Sequence, residues 1–173
     1  TLNKAYNGSH GIYSNNHTPA STTLLTYGGG VGNFAQIDSS RNSYNKFISN
    51  SIQNVYFGIV LNGNPGTSTP YSLNDTLNFV GMAGQGNTFT NFGGLASNTV
   101  MIAETNQRGF RVNSNTITGG TGSTGEVTGI RMNSGVWGEA IDNNITLTSS
   151  STTSPVIGIS VGFSGGNATN PNI

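Results

Sequence analysis

The 173-residue chain carries six Lys or Arg and six Asp or Glu, so its formal net charge is zero and only 7% of it is charged. Its cations (Lys4, Arg41, Lys46, Arg108, Arg111 and Arg131) are scattered, so a nucleic-acid partner, which needs a clustered basic surface, is not expected. Cysteine is absent, which removes disulfides and thiolate metal sites, and no apolar run reaches the ~18 residues of a membrane span. No metal or other cofactor is expected.

Gly supplies 26 residues and 33% of the chain is hydrophobic. Thr, Val, Ile, Phe and Tyr are common while Lys, Glu, Gln and Arg are scarce, which is a β composition. The apolar residues recur at regular places, which separates the chain from a disordered polar tract.

In chain order, the first strand signal is Gly11-Ile12-Tyr13. Residues 14–33, with Gly28-Gly29-Gly30, read as an insertion. Asn45-Lys46-Phe47-Ile48 and Phe57-Gly58-Ile59-Val60-Leu61 follow, then a second insertion, 62–80, with Asn64-Pro65-Gly66. The chain next gives Asn87-Thr88-Phe89-Thr90 and Val100-Met101-Ile102, then Asn115-Thr116-Ile117-Thr118 and Thr128-Gly129-Ile130-Arg131-Met132. Asn143-Asn144-Ile145-Thr146 and Ile157-Gly158-Ile159-Ser160-Val161 complete the series. Loops 119–126 and 148–155 occupy one place in successive repeats, and the side they share is a candidate binding surface.

Two sets of anchors keep step. Phe47, Phe89, Ile117 and Ile145 are 42, 28 and 28 residues apart, and Ile59, Ile102, Ile130 and Ile159 are 43, 28 and 29 apart. Each short segment alternates apolar and polar, as a half-buried strand does. Such a strand cannot bury its face alone, but stacked copies ~4.8 Å apart join their anchors into one interior column. Two positions before each first-series anchor stands an asparagine: Asn45, Asn87, Asn115 and Asn143. Stacked amides can bond up and down a column, and Asn tolerates the left-handed backbone of a tight turn.

These residues resemble the asparagine ladder and the coil pattern of pectate-lyase-like right-handed β-helices. The resemblance implies an all-β, right-handed parallel β-helix (β-solenoid) forming one domain over 1–173. About five to six coils of ~28 residues are expected, best defined over 37–162. The chain reads as a segment of a longer protein.

The resemblance is specific for fold and nearly silent about activity. Sugar-cleaving β-helices use clustered carboxylates, and none of Asp38, Asp75, Glu104, Glu126, Glu139 and Asp142 shares a frame position with another on an adjacent coil, so no catalytic residue is assigned. Three residues are candidates for something beyond packing. Glu104 falls in the inward slot filled by Leu61, Met132 and Val161, where a lone carboxylate is costly. The strand is expected to end early and release Glu104 to solvent, the alternatives being an internal ion pair with Arg108 or Arg131, or catalysis. Trp137, the one tryptophan, either covers a turn or stacks on a sugar ring. His10 and His17 read as exposed loop residues. The outward Thr-x-Thr positions resemble the ranks of ice-binding solenoids, although Lys46 and Ile48 break the first rank.

The expected function is a non-enzymatic, rigid adhesin or stalk segment of a bacterial secreted or cell-surface protein, with polysaccharide or a cell surface as partner. Large repetitive surface proteins of gliding or biofilm-forming bacteria, which the chain resembles, imply a dedicated export machinery as partner of the full-length chain. The alternatives are a polysaccharide lyase, glycoside hydrolase or phage tailspike, and an ice- or glycan-binding solenoid.

Overall fold

The structure is a computed structural model in which residues 8–15, 41–63 and 74–163 are described. Most of insertion 14–33, part of insertion 62–80, Asp38 and His17 lie outside those residues. The described residues hold no helix, so none is long and apolar enough to cross a membrane.

The strands run in repeating turns. The first is β1 (His10–Asn15). One turn then runs β2 (Lys46–Phe47), β3 (Ser51–Gln53) and β4 (Phe57–Asn62). The next runs β5 (Asp75–Thr76), β6 (Phe79–Val80), β7 (Thr88–Thr90) and β8 (Thr99–Thr105). The third runs β9 (Gln107–Arg108), β10 (Phe110–Asn113), β11 (Thr116–Gly119) and β12 (Val127–Asn133). The fourth runs β13 (Gly138–Ile141), β14 (Asn144–Leu147) and β15 (Val156–Gly162). Corresponding strands stack in order β1-β4-β8-β12-β15, β2-β6-β10-β13 and β3-β7-β11-β14, with β5 beside β9. All pairs are parallel. The chain is therefore a parallel β-solenoid, with about four turns among the described residues in place of the five to six expected. Residues 74–80, assigned to an insertion by sequence, instead supply β5 and β6.

The second anchor series forms one column: Ile12, Ile59, Ile102, Ile130 and Ile159 are successive partners. Ile59, Ile102 and Ile130 are fully buried, while Ile159 is 45% exposed on β15, the last described strand of its stack. The first series needs a correction. Phe89, Ile117 and Ile145 are successive partners, but the residue opposite Phe89 is Ile52. Phe47 pairs instead with Val80 on the neighbouring face. Asn50 accordingly heads the main amide column, and Asn45 belongs to another. The cause is local. Asn45-Lys46-Phe47 and Asn50-Ser51-Ile52 carry the same pattern five residues apart, one before each of two successive strands. Only pairing across turns tells them apart.

The main column bonds without interruption. Asn50, Asn87 and Asn115 each donate from Nδ2 to the Oδ1 of the next, ending at Asn143, with every step 2.9 Å. Each Oδ1 also accepts the backbone N–H of the preceding asparagine at 3.0 Å. The second Nδ2 hydrogen of Asn87, Asn115 and Asn143 goes to the carbonyls of Phe47, Val80 and Val112. Asn87 and Asn115 are buried with every donor matched, the condition under which buried amides stabilise. The other column is mixed: Asn45 donates to Asn78 Oδ1 at 3.2 Å, and Asn78 to Gln107 Oε1 at 2.8 Å.

Glycines explain the Gly-Ile pattern of the second series. A Cβ on Gly11 would lie 2.6 Å from Ile52, one on Gly58 2.8 Å from the Phe89 ring and one on Gly129 2.9 Å from Ile145. The missing side chains of one sheet thus make room for the anchors of the sheet opposite.

Candidate functional site

Turns of a solenoid bend through left-handed residues, and most described corners use side chains that tolerate that geometry. Of the nine non-glycine residues with positive φ, seven are Asn, Ser or Asp. The other two are Tyr44 (φ 62°) and Leu77 (φ 52°), and they line the same depression.

This depression lies at the corner where β5 and β9 lead into β6 and β10. It is open, about 250 Å³ in volume, and lined by Arg41, Tyr44, Thr76, Leu77, Arg108 and Trp137. Stacking builds it. Tyr44 N–H donates to the Thr76 carbonyl at 2.9 Å, Leu77 N–H to that of Arg108 at 2.9 Å, and Gly109 N–H to that of Trp137 at 2.8 Å. Tyr44, Leu77, Gly109 and Trp137 therefore hold equivalent places in four successive turns. Gly109 has φ 69°, and a Cβ there would lie 2.8 Å from the Trp137 ring and 2.9 Å from Leu77. The absent side chain lets the indole fold across Gly109 toward Leu77. Trp137 and Arg108 are half-buried and Tyr44 is 67% exposed. Arg41 Nη1 donates to Thr76 Oγ1 at 3.4 Å. Arg108 makes no ion pair or side-chain hydrogen bond among the described residues.

The other two candidates lie elsewhere. Glu104 does not reach solvent. β8 continues through it, and Leu61, Glu104, Met132 and Val161 are successive partners. The side chain is 1% exposed, and neither carboxyl oxygen has a hydrogen-bond partner. Burial drives its pKa well above the ordinary carboxylate range, with the backbones of Asn133 and Gln107 pulling weakly the other way. Neither Arg108 nor Arg131 pairs with it. Arg131 forms its ion pair with Glu126, five residues earlier, whose Oε1 also accepts from the Thr128 hydroxyl.

The remaining described acids are tied into the scaffold or set at a turn. Glu139 pairs with Arg111 at 3.2 Å, and Arg111 also lies over the Phe79 ring, 5.3 Å from its centroid. Asp75 is buried and accepts the Asn42 N–H at 2.9 Å. Asp142 occupies a left-handed corner at φ 54°. The His10 ring stacks on Phe57, with centroids 4.9 Å apart, and its Nδ1 lies 2.9 Å from the Gly8 carbonyl. Among the described residues, no three His, Cys, Asp or Glu side chains gather as a metal site would require.

Loops 119–126 and 148–155 do lie one on the other. Ser150 N–H donates to the Ser123 carbonyl at 2.8 Å, and Thr124 N–H donates to the Leu95 carbonyl at 3.0 Å. The depression lies apart from them. Sequence reasoning singled out Trp137 but missed Arg41, Tyr44 and Thr76, and it considered Arg108 only as a partner for Glu104. Asn45 and Asn78, 33 residues apart, were the available signal, because aligning them puts Tyr44 over Leu77.

Compared with models of known protein families, with curated proteins and with solved structures, the chain matches none.

Proposed function

We propose that this chain is a rigid, non-catalytic solenoid segment of a secreted or cell-surface protein, acting as an adhesin or stalk that touches carbohydrate at the β5–β9 corner. One observation carries the reading. The open depression is lined by cations, aromatics and a hydroxyl, and no carboxylate stands in it. Glycoside hydrolysis takes two carboxyl groups flanking the bond, whereas binding a sugar takes a ring to stack on and donors to orient it. The low charge and the Ser-, Thr-, Asn- and Gly-rich corners suit an exposed, wet environment. For the full-length chain, a bacterial export machinery is the partner this reading entails.

Two measurements test it. Antibodies against the chain should label intact cells of the source organism or its culture medium, and label confined to permeabilised cells would overturn the surface location. Incubation with neutral and acidic polysaccharides should release no new reducing or unsaturated ends. Steady release would replace the stalk by an enzyme.

One observation favours a second reading, an ice- or glycan-binding face. With the corrected register, Ser51, Thr88, Thr116 and Asn144 form one row, and Gln53, Thr90, Thr118 and Thr146 another. Lys46 and Ile48 do not interrupt these rows. Thermal hysteresis of freezing, lost in T118V, supports that reading; its absence in the wild type removes the ice-binding form.

A further inference from the structure

The corner depression is built at a cost that the solenoid does not need. Left-handed backbone is uncommon for bulky side chains and costs about 1–3 kcal/mol at such positions. The other described non-glycine corners with positive φ use Asn, Ser or Asp. Only here do a tyrosine and a leucine take that geometry, in adjacent turns, and both line the same hollow. Strain of this kind gathers where a ligand is gripped.

The chemistry of the lining is as selective as its geometry. Arg111 and Arg131 are each matched to a carboxylate. Arg108, in the hollow, faces no acid among the described residues. It stands one residue before Gly109, across which the Trp137 ring lies. A guanidinium offers a fork of donors that fits a planar or tetrahedral oxyanion, and an indole face offers an apolar plate.

We propose that this depression binds one anionic sugar unit of a glycan, with the sugar ring on Trp137 and its carboxylate or sulfate on Arg108. Arg41 flanks the anion, the Thr76 hydroxyl supplies a further polar contact and Tyr44 forms the outer wall. The inference rests on the carbohydrate-contact reading above and names its ligand class. The hollow is smaller than the ~300–1,000 Å³ of a drug-sized ligand site, which suits a single unit of a chain lying along the surface. A nucleic acid is disfavoured, because its binding needs a run of phosphate contacts and the chain has zero net charge with only two arginines here.

The test uses a built-in reporter, since Trp137 is the only tryptophan. The probes are hyaluronan oligosaccharides (carboxylate only), dextran sulfate (sulfate only), dextran (neutral) and a single-stranded DNA oligomer. Trp137 emission is followed by titration, and calorimetry serves for variants that lack the indole. At least one acidic glycan should shift the emission and bind, with affinity falling as salt rises, and dextran should bind at least tenfold more weakly. R108Q and W137A should each weaken binding at least tenfold, while K46Q, a cation outside the hollow, should leave it unchanged. W137F, with circular dichroism, separates loss of the plate from loss of the fold. Comparing hyaluronan with dextran sulfate identifies the acid. Equal binding of dextran, tighter binding of the DNA, or no binding of either acidic glycan would overturn the proposal. Failure here leaves the surface-labelling result untouched. Cleavage of a glycan that is bound in an Arg108-dependent way would instead sink the non-catalytic reading alone.

Discussion

Replacing Glu104 should stabilise this protein, and the gain should depend on pH. Its carboxyl is 1% exposed, makes no hydrogen bond and lies between Leu61 and Met132 in the stack. Burial raises its folded pKa well above the usual value. A group with a raised folded pKa favours folding fully below its unfolded pKa, ~4.3 for Glu. That contribution is lost as pH rises through the folded pKa. In the window between the two, each pH unit removes about 1.4 kcal/mol of stability, because the unfolded chain releases a proton that the folded one keeps. E104Q removes the titration and keeps the shape. E104L also removes an unsatisfied buried polar group, worth about 1–3 kcal/mol, and supplies the residue type that β4 places there. At pH 7, E104L should gain at least about 2 kcal/mol. Urea unfolding of wild type, E104Q and E104L at pH 5, 7 and 9, followed by circular dichroism, measures it. The wild type should fall behind E104Q as pH rises. A wild type that keeps pace with E104Q from pH 5 to 9, or an E104L less stable than wild type at pH 7, would refute the reasoning.

Three further outcomes follow from the same structure. N115A should cost at least about 3 kcal/mol in urea unfolding, because it strands buried partners on Asn87, Asn143 and Val80. N50A, at the half-buried start of the column, should cost about 1 kcal/mol, and equal costs would deny that burial sets the ladder's worth. G58A should destabilise by about 1–3 kcal/mol in the same assay, since its Cβ would meet the Phe89 ring at 2.8 Å. R131Q should shift stability by no more than about 1 kcal/mol, because its pair with Glu126 is partly exposed; a loss above 2 kcal/mol would assign Arg131 a larger role.

What the sequence made legible was whatever repeats with conserved identity. Ile117 and Ile145 stand 28 residues apart, as do Asn115 and Asn143, because turns without insertions return each residue type to the same interior slot. Legibility failed where two faces of one turn share a pattern, as at Asn45 and Asn50. It failed again at Glu104, because the ordinary expectation that a carboxylate escapes to water gives way to pairing with β4 and β12 on both sides. The corner depression was illegible for a different reason. Its members come from four turns and share no residue type. Only the stacking of Tyr44, Leu77, Gly109 and Trp137 brings them together, and left-handed backbone at Tyr44 and Leu77 leaves no mark in the sequence.

The hydrogen bonds of the amide ladder and the strands run from turn to turn, along the stack, while the covalent chain runs around it. Tension between the two ends of such a stack meets those bonds head-on, one layer at a time, and does not shear them together. The terminal turn yields first. A released turn of 28 residues, the distance from Ile117 to Ile145, lengthens the tether by roughly 90–100 Å at ~3.3–3.6 Å per residue. A stack loaded this way is a ratcheted shock absorber: it gives length in uniform steps at each overload, and every intact turn beneath still presents its corner and its outward face unchanged.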